Sequence, residues 1–268
     1  MRTLDGRFGA SDCEAKSALV NAGRLVSHGP VTDRLRTLFE TLFQAHPWHG
    51  VRPRIEGTTS LRAYVEIVPS DTVKYELDKA SGHLRIDRPQ RFSSTCPTLY
   101  GFFPQTYCGE TVAARCVERG GGGGEETMVG DGDPLDLCIL TEKTFSQGDF
   151  LAHVRPIGGL RMVDKNEVDD KIVAVLEDDV AYGHLEDLGE APQGLIDRLR
   201  HYFLSYKQRP EELAQDAPLE QKRVRIAEVY GRDEALEVIR RSEVDYAAKF
   251  GEPDARWAEF EALLRRSN

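Results

Sequence analysis

Hydrophobic positions recur along this chain at two different spacings. Between residues 35 and 43, Leu35, Leu38, Phe39, Leu42 and Phe43 fall three and four apart, the period of one helix face, with Asp33 placed to cap the segment and Pro47 to end it. From residue 61 the period drops to two. Leu61, Ala63, Val65 and Ile67 alternate with polar positions, residues 74–78 alternate charged with apolar, and Ala80-Ser81-Gly82 offers a hairpin turn into a strand over 84–88. Apolar stretches at 135–140, 151–163 and 171–176 read as further strands. Pro192 opens a helix in which Leu195, Leu199, Tyr202, Phe203 and Tyr206 share a face. A strand over 223–230 precedes Gly231-Arg232-Asp233, which introduces a helix to about residue 250, and Asp254 caps a last short one. Residues 108–130 carry the glycine run 120–124, which is entropically costly to order and lacks the Gly-Lys-Ser/Thr of a phosphate-cradling loop. They read as an insertion-like mobile surface loop. About six short strands, with helices gathered toward the C-terminus, predict a mainly β (α+β) fold, a closed antiparallel barrel decorated by helices. Three parts follow: a helical N-terminal extension over 1–50, a main body over 51–250 and a helical tail over 251–268. The extension is expected to pack on the body or on a partner subunit and to carry no chemistry.

Composition narrows the classes. A length of 268 residues, 40% of them hydrophobic, suits one large or two small globular domains, and the longest apolar runs are strand-sized, too short to cross a bilayer. Forty-five acids against 35 bases leave a net charge of −10, which repels nucleic acid and anionic lipid. Cys13, Cys96, Cys108, Cys116 and Cys138 are odd in number and form no CxxC pair, which argues against a disulfide framework or structural zinc and for a reducing, cytoplasmic setting. The first thirty residues mix charges of both signs and do not read as a secretory signal; an organellar address stays open.

The most informative segment is Gly130-Asp131-Gly132-Asp133-Pro134-Leu135-Asp136, three carboxylates within six residues at the mouth of an apolar strand. Carboxylates so crowded repel one another and favour a hard cation, and Mg²⁺ suits them because it is shared with substrate phosphates. A calcium EF-hand would place Glu142 at loop position 12 counted from Asp131, but Leu135 falls at position 5 and Asp136 replaces the glycine of position 6. Asp164 and Asp169 flank a second short loop, and Asp169 shares a strand face with Lys171, as Lys74 does with Glu76, while Glu66 comes from the preceding strand. Glu177-Asp178-Asp179 reads as a charged turn only. Acids for metals beside Lys74, Arg88, Lys171 and Lys207 for anions imply a polyanionic ligand that reaches the acids through bridging cations, the layout of phosphoryl transfer.

Taken with Lys74-Tyr-Glu-Leu-Asp-Lys79, Asp87-Arg88, Leu99-Tyr-Gly101, Arg155-Pro-Ile-Gly158, the stretch 164–171 and His201-Tyr-Phe203 with Tyr206-Lys207, the run from Asp131 to Asp136 resembles the signature of the soluble family I inorganic pyrophosphatases, in the family order over roughly residues 60–245. The resemblance implies a five-stranded OB-like closed barrel flanked by C-terminal helices, with residues 51–250 as the catalytic domain. It implies hydrolysis of pyrophosphate to two phosphates by a metal-activated water, with several Mg²⁺ per site, and a homo-oligomer binding neither nucleic acid nor membrane. Position by position, Asp131, Asp136 and Asp169 resemble the ligands of the tightest metal, and Asp133 the general base on the attacking water. Asp164, Asp169 and Glu76 match positions that serve metals arriving with substrate. Lys74 and Tyr100 resemble contacts to the phosphoryl group under attack, and Arg88, Tyr206 and Lys207 those to the leaving phosphate; Glu66 and Lys171 match further polar positions of the cavity. Cys96-Pro97 departs from the family, many of whose members carry an aromatic before that proline. A different metal-dependent phosphohydrolase and an OB-type nucleic-acid binder are the alternatives; the second needs a basic groove with stacking aromatics, against the net charge.

Overall fold

A computed structural model describes residues 38, 43–91, 93–121, 127–207 and 224–266, with backbone alone at 254, 261 and 266. The helix expected over 35–43 lies outside them apart from Leu38 and Phe43. The chain divides after residue 42 into two units, and the ten strands among the described residues belong to the second. In chain order its elements are β1 (Leu61–Ile67), β2 (Val73–Leu77), β3 (Leu84–Pro89), β4 (Leu99–Phe102), α1 (Glu110–Glu118), β5 (Val129–Gly130), β6 (Asp136–Leu140), β7 (Phe150–Asp164), β8 (Glu167–Val168), β9 (Lys171–Leu176), α2 (Gln193–Ser205), β10 (Val224–Gly231), α3 (Arg232–Phe250) and α4 (Pro253–Arg266).

Five strands close a ring in the order β1–β4–β6–β9–β7, and β7 returns to β1. The fold is therefore the OB-like barrel expected, with one correction: β6 and β9 run parallel, from Asp136 beside Lys171 to Leu140 beside Val175. The cause is β7. It follows β6 in sequence but pairs with β1 and β9, so two reversals separate β6 from β9 and leave them pointing the same way. With fifteen residues β7 is long enough to meet β1 at one end and β8 and β10 at the other. A register shift at Pro156–Gly158 bends it where proline cannot donate to the ladder.

Alternation along the strands sorts the core into two layers. Val65, Leu137, Ile139, Ile172 and Ala174 fill the barrel together with Leu61, Ala63 and Val154, and Val112, Cys116, Ala235 and Val238 from α1 and α3 extend that layer. The intervening residues Cys138, Leu140, Val173 and Val175 face outward and pack with Leu199, Tyr202 and Phe203 of α2. By the same period, Asp136 and Lys171 stand on the outward face of β6 and β9. The loop expectation for 108–130 is corrected over residues 110–118, which form α1 with Val112, Ala113 and Cys116 buried. Its N-terminus is capped from a distance: Asp245 on α3 accepts hydrogen bonds from the amides of Gly109 (3.0 Å), Thr111 (3.0 Å) and Val112 (3.1 Å). The tail helix α4 begins at Pro253 and is a full 14 residues rather than short.

Candidate active site

The site gathers on the outward face of the barrel, where β6 begins and β7 turns into β9. The loop before β6 is fixed by its backbone: Cys108 N–H donates to the carbonyl of Asp133 (2.8 Å), Gly132 N–H to that of Cys108 (3.1 Å), and Asp133 N–H to Asp131 Oδ1 (3.0 Å). Gly132 sits at φ +77°, and a Cβ at Gly130 would collide with the Cys108 carbonyl, so both glycines of the turn are required. The turn sends Asp131 inward, Asp136 onto β6 and Asp133 toward solvent.

At the centre, the Lys171 ammonium donates to Asp136 and Asp169, Tyr100 hydroxyl donates to Asp136 Oδ2 (2.5 Å), and Asp131 shares a hydrogen bond with Asp169. Lys171 is only 2% exposed. Parallel pairing puts Asp136 and Lys171 side by side, and the amide of Asp169 is fixed on the Met162 carbonyl of β7 (2.9 Å). Burial, then the charge of Asp169, pushes the Asp131 carboxyl well above its usual range. Burial also raises Asp136, and Lys171 offsets only part of that. For Asp169, burial acts upward but the Lys171 ammonium outweighs it and holds the group below its usual value. Lys171 in turn is driven well above an ordinary lysine: burial works against its charge, and Asp136 and Asp169 overcome it.

Around this centre stand the other residues expected from sequence. Lys74, on the β2–β3 hairpin, bridges Glu76 (3.2 Å) and Asp87 (3.3 Å), and Asp87 also binds Arg88. Lys207 donates to Asp164 (3.0 Å) and stands 5.6 Å from the centre of the Tyr206 ring. Tyr206 lies within electrostatic reach of Lys74, Lys171 and Lys207, which joins the three groups. Glu66 is buried and accepts from the amide of Leu77 (2.7 Å); burial pushes its carboxyl up to about 8. A cleft of about 70 Å³ is lined by Glu66, Lys74, Glu76, Tyr100, Asp133 and Asp136, together with Trp48, Lys79 and the apolar Leu77, Phe102 and Pro134. Each of the thirteen site residues expected from sequence thus takes part in one connected polar region.

Three participants went unassigned in the sequence. Asp87 pairs the two cations Lys74 and Arg88. Lys79, from the hairpin turn, forms an ion pair with Asp133. Trp48, placed by sequence in the extension, is 3% exposed, donates to the Thr106 carbonyl (2.7 Å) and forms a cleft wall. Lys79 ends the run that begins at Lys74, the one signal available for it; nothing near Trp48 announces its destination. Glu177-Asp178-Asp179 is a turn, in which Asp179 accepts from Thr141 (2.6 Å) and from the amides of Glu142, Ala181 and Tyr182.

Among the described residues the acids are not already gathered into a metal cage; Lys171 stands between two of them. The donor set fits a hard divalent cation all the same. Asp131, Asp136 and Asp169 bring three carboxylates to one ammonium, and burial, with the neighbouring carboxylates adding to it, holds Asp131 and Asp136 above their usual range.

The profile of the inorganic pyrophosphatase family matches residues 63–247. An inorganic pyrophosphatase of Chlamydia trachomatis serovar L2 is 49% identical over 206 residues, 77% of this chain and 96% of the relative. A soluble inorganic pyrophosphatase of Oryza sativa subsp. indica is 33% identical over 204 residues, 76% of this chain and 80% of its own. The crystal structure of the Thermus thermophilus inorganic pyrophosphatase superposes with a TM-score of 0.57 at 26% identity, covering 75% of this chain and 98% of that one.

Proposed function

Because the chain belongs to the soluble family I inorganic pyrophosphatases and hydrolyses pyrophosphate to two phosphates, we propose that Asp133 is the general base of that reaction and that Asp131, Asp136 and Asp169 hold the divalent cation it depends on. The observation that carries this reading is the gathering of three carboxylates, Asp131, Asp136 and Asp169, around the Lys171 ammonium, with a fourth, Asp133, half-exposed at the cleft mouth. Mg²⁺ is the cation of choice, and once bound it would neutralise the acids, screen the substrate's charge and lower the pKa of water. Asp164 and Glu76 would serve cations that arrive with the substrate.

The other residues act on the polyanion itself. Lys74 and Tyr100 orient the phosphoryl group under attack: the ammonium supplies a point charge, and the tyrosine hydroxyl, raised well above its usual range by burial and then by Asp136, stays protonated as a donor. Arg88, Tyr206 and Lys207 receive the leaving phosphate, Arg88 by a two-pronged contact. Lys171 holds Asp136 and Asp169 in place. Glu66 supports the hairpin through the Leu77 amide, next to Glu76. Four buried cysteines, Cys96, Cys108, Cys116 and Cys138, are all free thiols, in keeping with a reducing cytoplasm.

Phosphate release from pyrophosphate, measured with Mg²⁺ and in excess chelator, tests the proposal. Turnover should vanish in chelator and return with Mg²⁺, while Ca²⁺ should occupy the acids yet support little hydrolysis, its looser geometry failing to hold water and phosphate in line. Equal rates with Ca²⁺ and Mg²⁺, or undiminished turnover in chelator, would refute it.

A further inference from the structure

We propose that Lys79 is a further substrate-binding residue: its ammonium, held on Asp133 in the free protein, passes to a phosphate oxygen of bound pyrophosphate. The proposal deepens, and rests on, the reading of Asp133 as base. Lys79 meets Asp133 Oδ1, and both line the cleft with Lys74, Tyr100 and Asp136. The pair closes on itself in the free protein, and it opens when an incoming phosphate takes over the ammonium.

Lys79 is placed to open it. Its backbone belongs to a fixed turn: Ser81 N–H and Oγ–H donate to Asp78 Oδ1 (2.8 and 2.7 Å), Gly82 N–H donates to the Asp78 carbonyl (2.8 Å), and Gly82 sits at φ +73° with the His46 ring against it. The side chain, by contrast, is 44% exposed and its partner 45% exposed. An ion pair so open to water is weak, so exchanging one anion for another costs little. Lys171 is buried between two acids, and Lys74 is shared by Glu76 and Asp87. Lys79 is therefore the cation of the cleft most easily redirected, and pyrophosphate, with several charges on adjacent oxygens, is the stronger attractor. The four-carbon stem lets the ammonium swing without backbone movement.

The test is a cycle of variants at saturating Mg²⁺, with steady-state kinetics on pyrophosphate and calorimetric binding of methylenediphosphonate, an analogue that is not hydrolysed. Lys79→Met should weaken analogue binding and raise KM by about ten-fold, the effect of one charge-assisted hydrogen bond, while Lys79→Arg stays within about three-fold. Asp133→Asn should tighten analogue binding by releasing Lys79, and that gain should disappear in the Lys79→Met background. An unchanged analogue affinity in Lys79→Met overturns the proposal; if kcat alone fell, Lys79 would only orient Asp133. Failure of the underlying reading shows elsewhere, as undiminished kcat in Asp133→Asn.

Discussion

Asp131, Asp133 and Asp136 lie within six residues, yet the fold gives them different surroundings. Asp131 and Asp136 are partly buried and grouped with Asp169 and Lys171, whereas Asp133 faces Lys79 at the mouth. Asp133→Asn keeps the shape but cannot accept a proton, so kcat should fall by roughly 10² to 10⁴ with little change in Mg²⁺ affinity. Asp136→Asn removes a proposed ligand charge and should instead weaken Mg²⁺ binding, so that raising Mg²⁺ recovers part of the rate. Titrating kcat against Mg²⁺ for both variants decides the assignment; rescue of the Asp133 variant alone would reverse it. The acids were legible because crowded charge in a short segment is itself the signal. Lys79 was not, since the residue it reaches is 54 positions away, and Trp48 follows Pro47, past the helical period of 35–43, in an extension expected to carry no chemistry.

Strands announce themselves by a period of two, and β1, β6 and β9 fell where alternation or apolar runs put them. Helix α1 did not, for two physical reasons. Its buried stripe is only Val112, Ala113 and Cys116, too narrow to stand out beside the glycines that follow, and its cap comes from Asp245 on α3 rather than from the preceding residues. The direction of β6 against β9 was equally hidden, because local pattern carries no information about which strand a later one will pair with. Asp245→Ala should leave three amides of α1 short of an acceptor and lower stability by about 1–2 kcal/mol, read as a shifted urea midpoint at constant m-value. Mg²⁺ dependence should change little, because the hydrogen bonds Asp245 accepts come from the start of α1. A variant as stable as the parent would mean water replaces the cap.

For the molecule as a whole, the segment just ahead of β1 matters more than its sequence suggests. Trp48 stacks on His49 at 4.5 Å, and His49 meets Phe250 at 5.0 Å and hydrogen-bonds with the Tyr246 hydroxyl at 2.8 Å. Removing residues 1–42 should therefore spare activity, since every site residue lies beyond them. Removing 1–50 should cost about 3–5 kcal/mol, the usual effect of emptying a buried aromatic site, in a thermal or urea unfolding assay; equal stability of the two truncations would refute this. Burial, then the like charges of His46 and Arg256, lowers His49 to about 4. The unfolded chain protonates near the ordinary value of 6.5 while the folded one refuses the proton until about 4, so this group's contribution is intact above 6.5 and is lost as pH falls from 6.5 toward 4. His49→Gln should lose less stability between pH 7 and pH 5 than the parent does, and an identical loss would show that His49 does not set the slope. One feature of the barrel also orders events in time. The parallel join of β6 and β9 needs β7 between them in sequence, so on a ribosome the acids of the 131–136 turn wait some 35 residues for Asp169 and Lys171, and longer for Lys207. A half-made chain lacks Asp169 and Lys171, so ligands of the proposed site would stabilise this enzyme only after its barrel has closed.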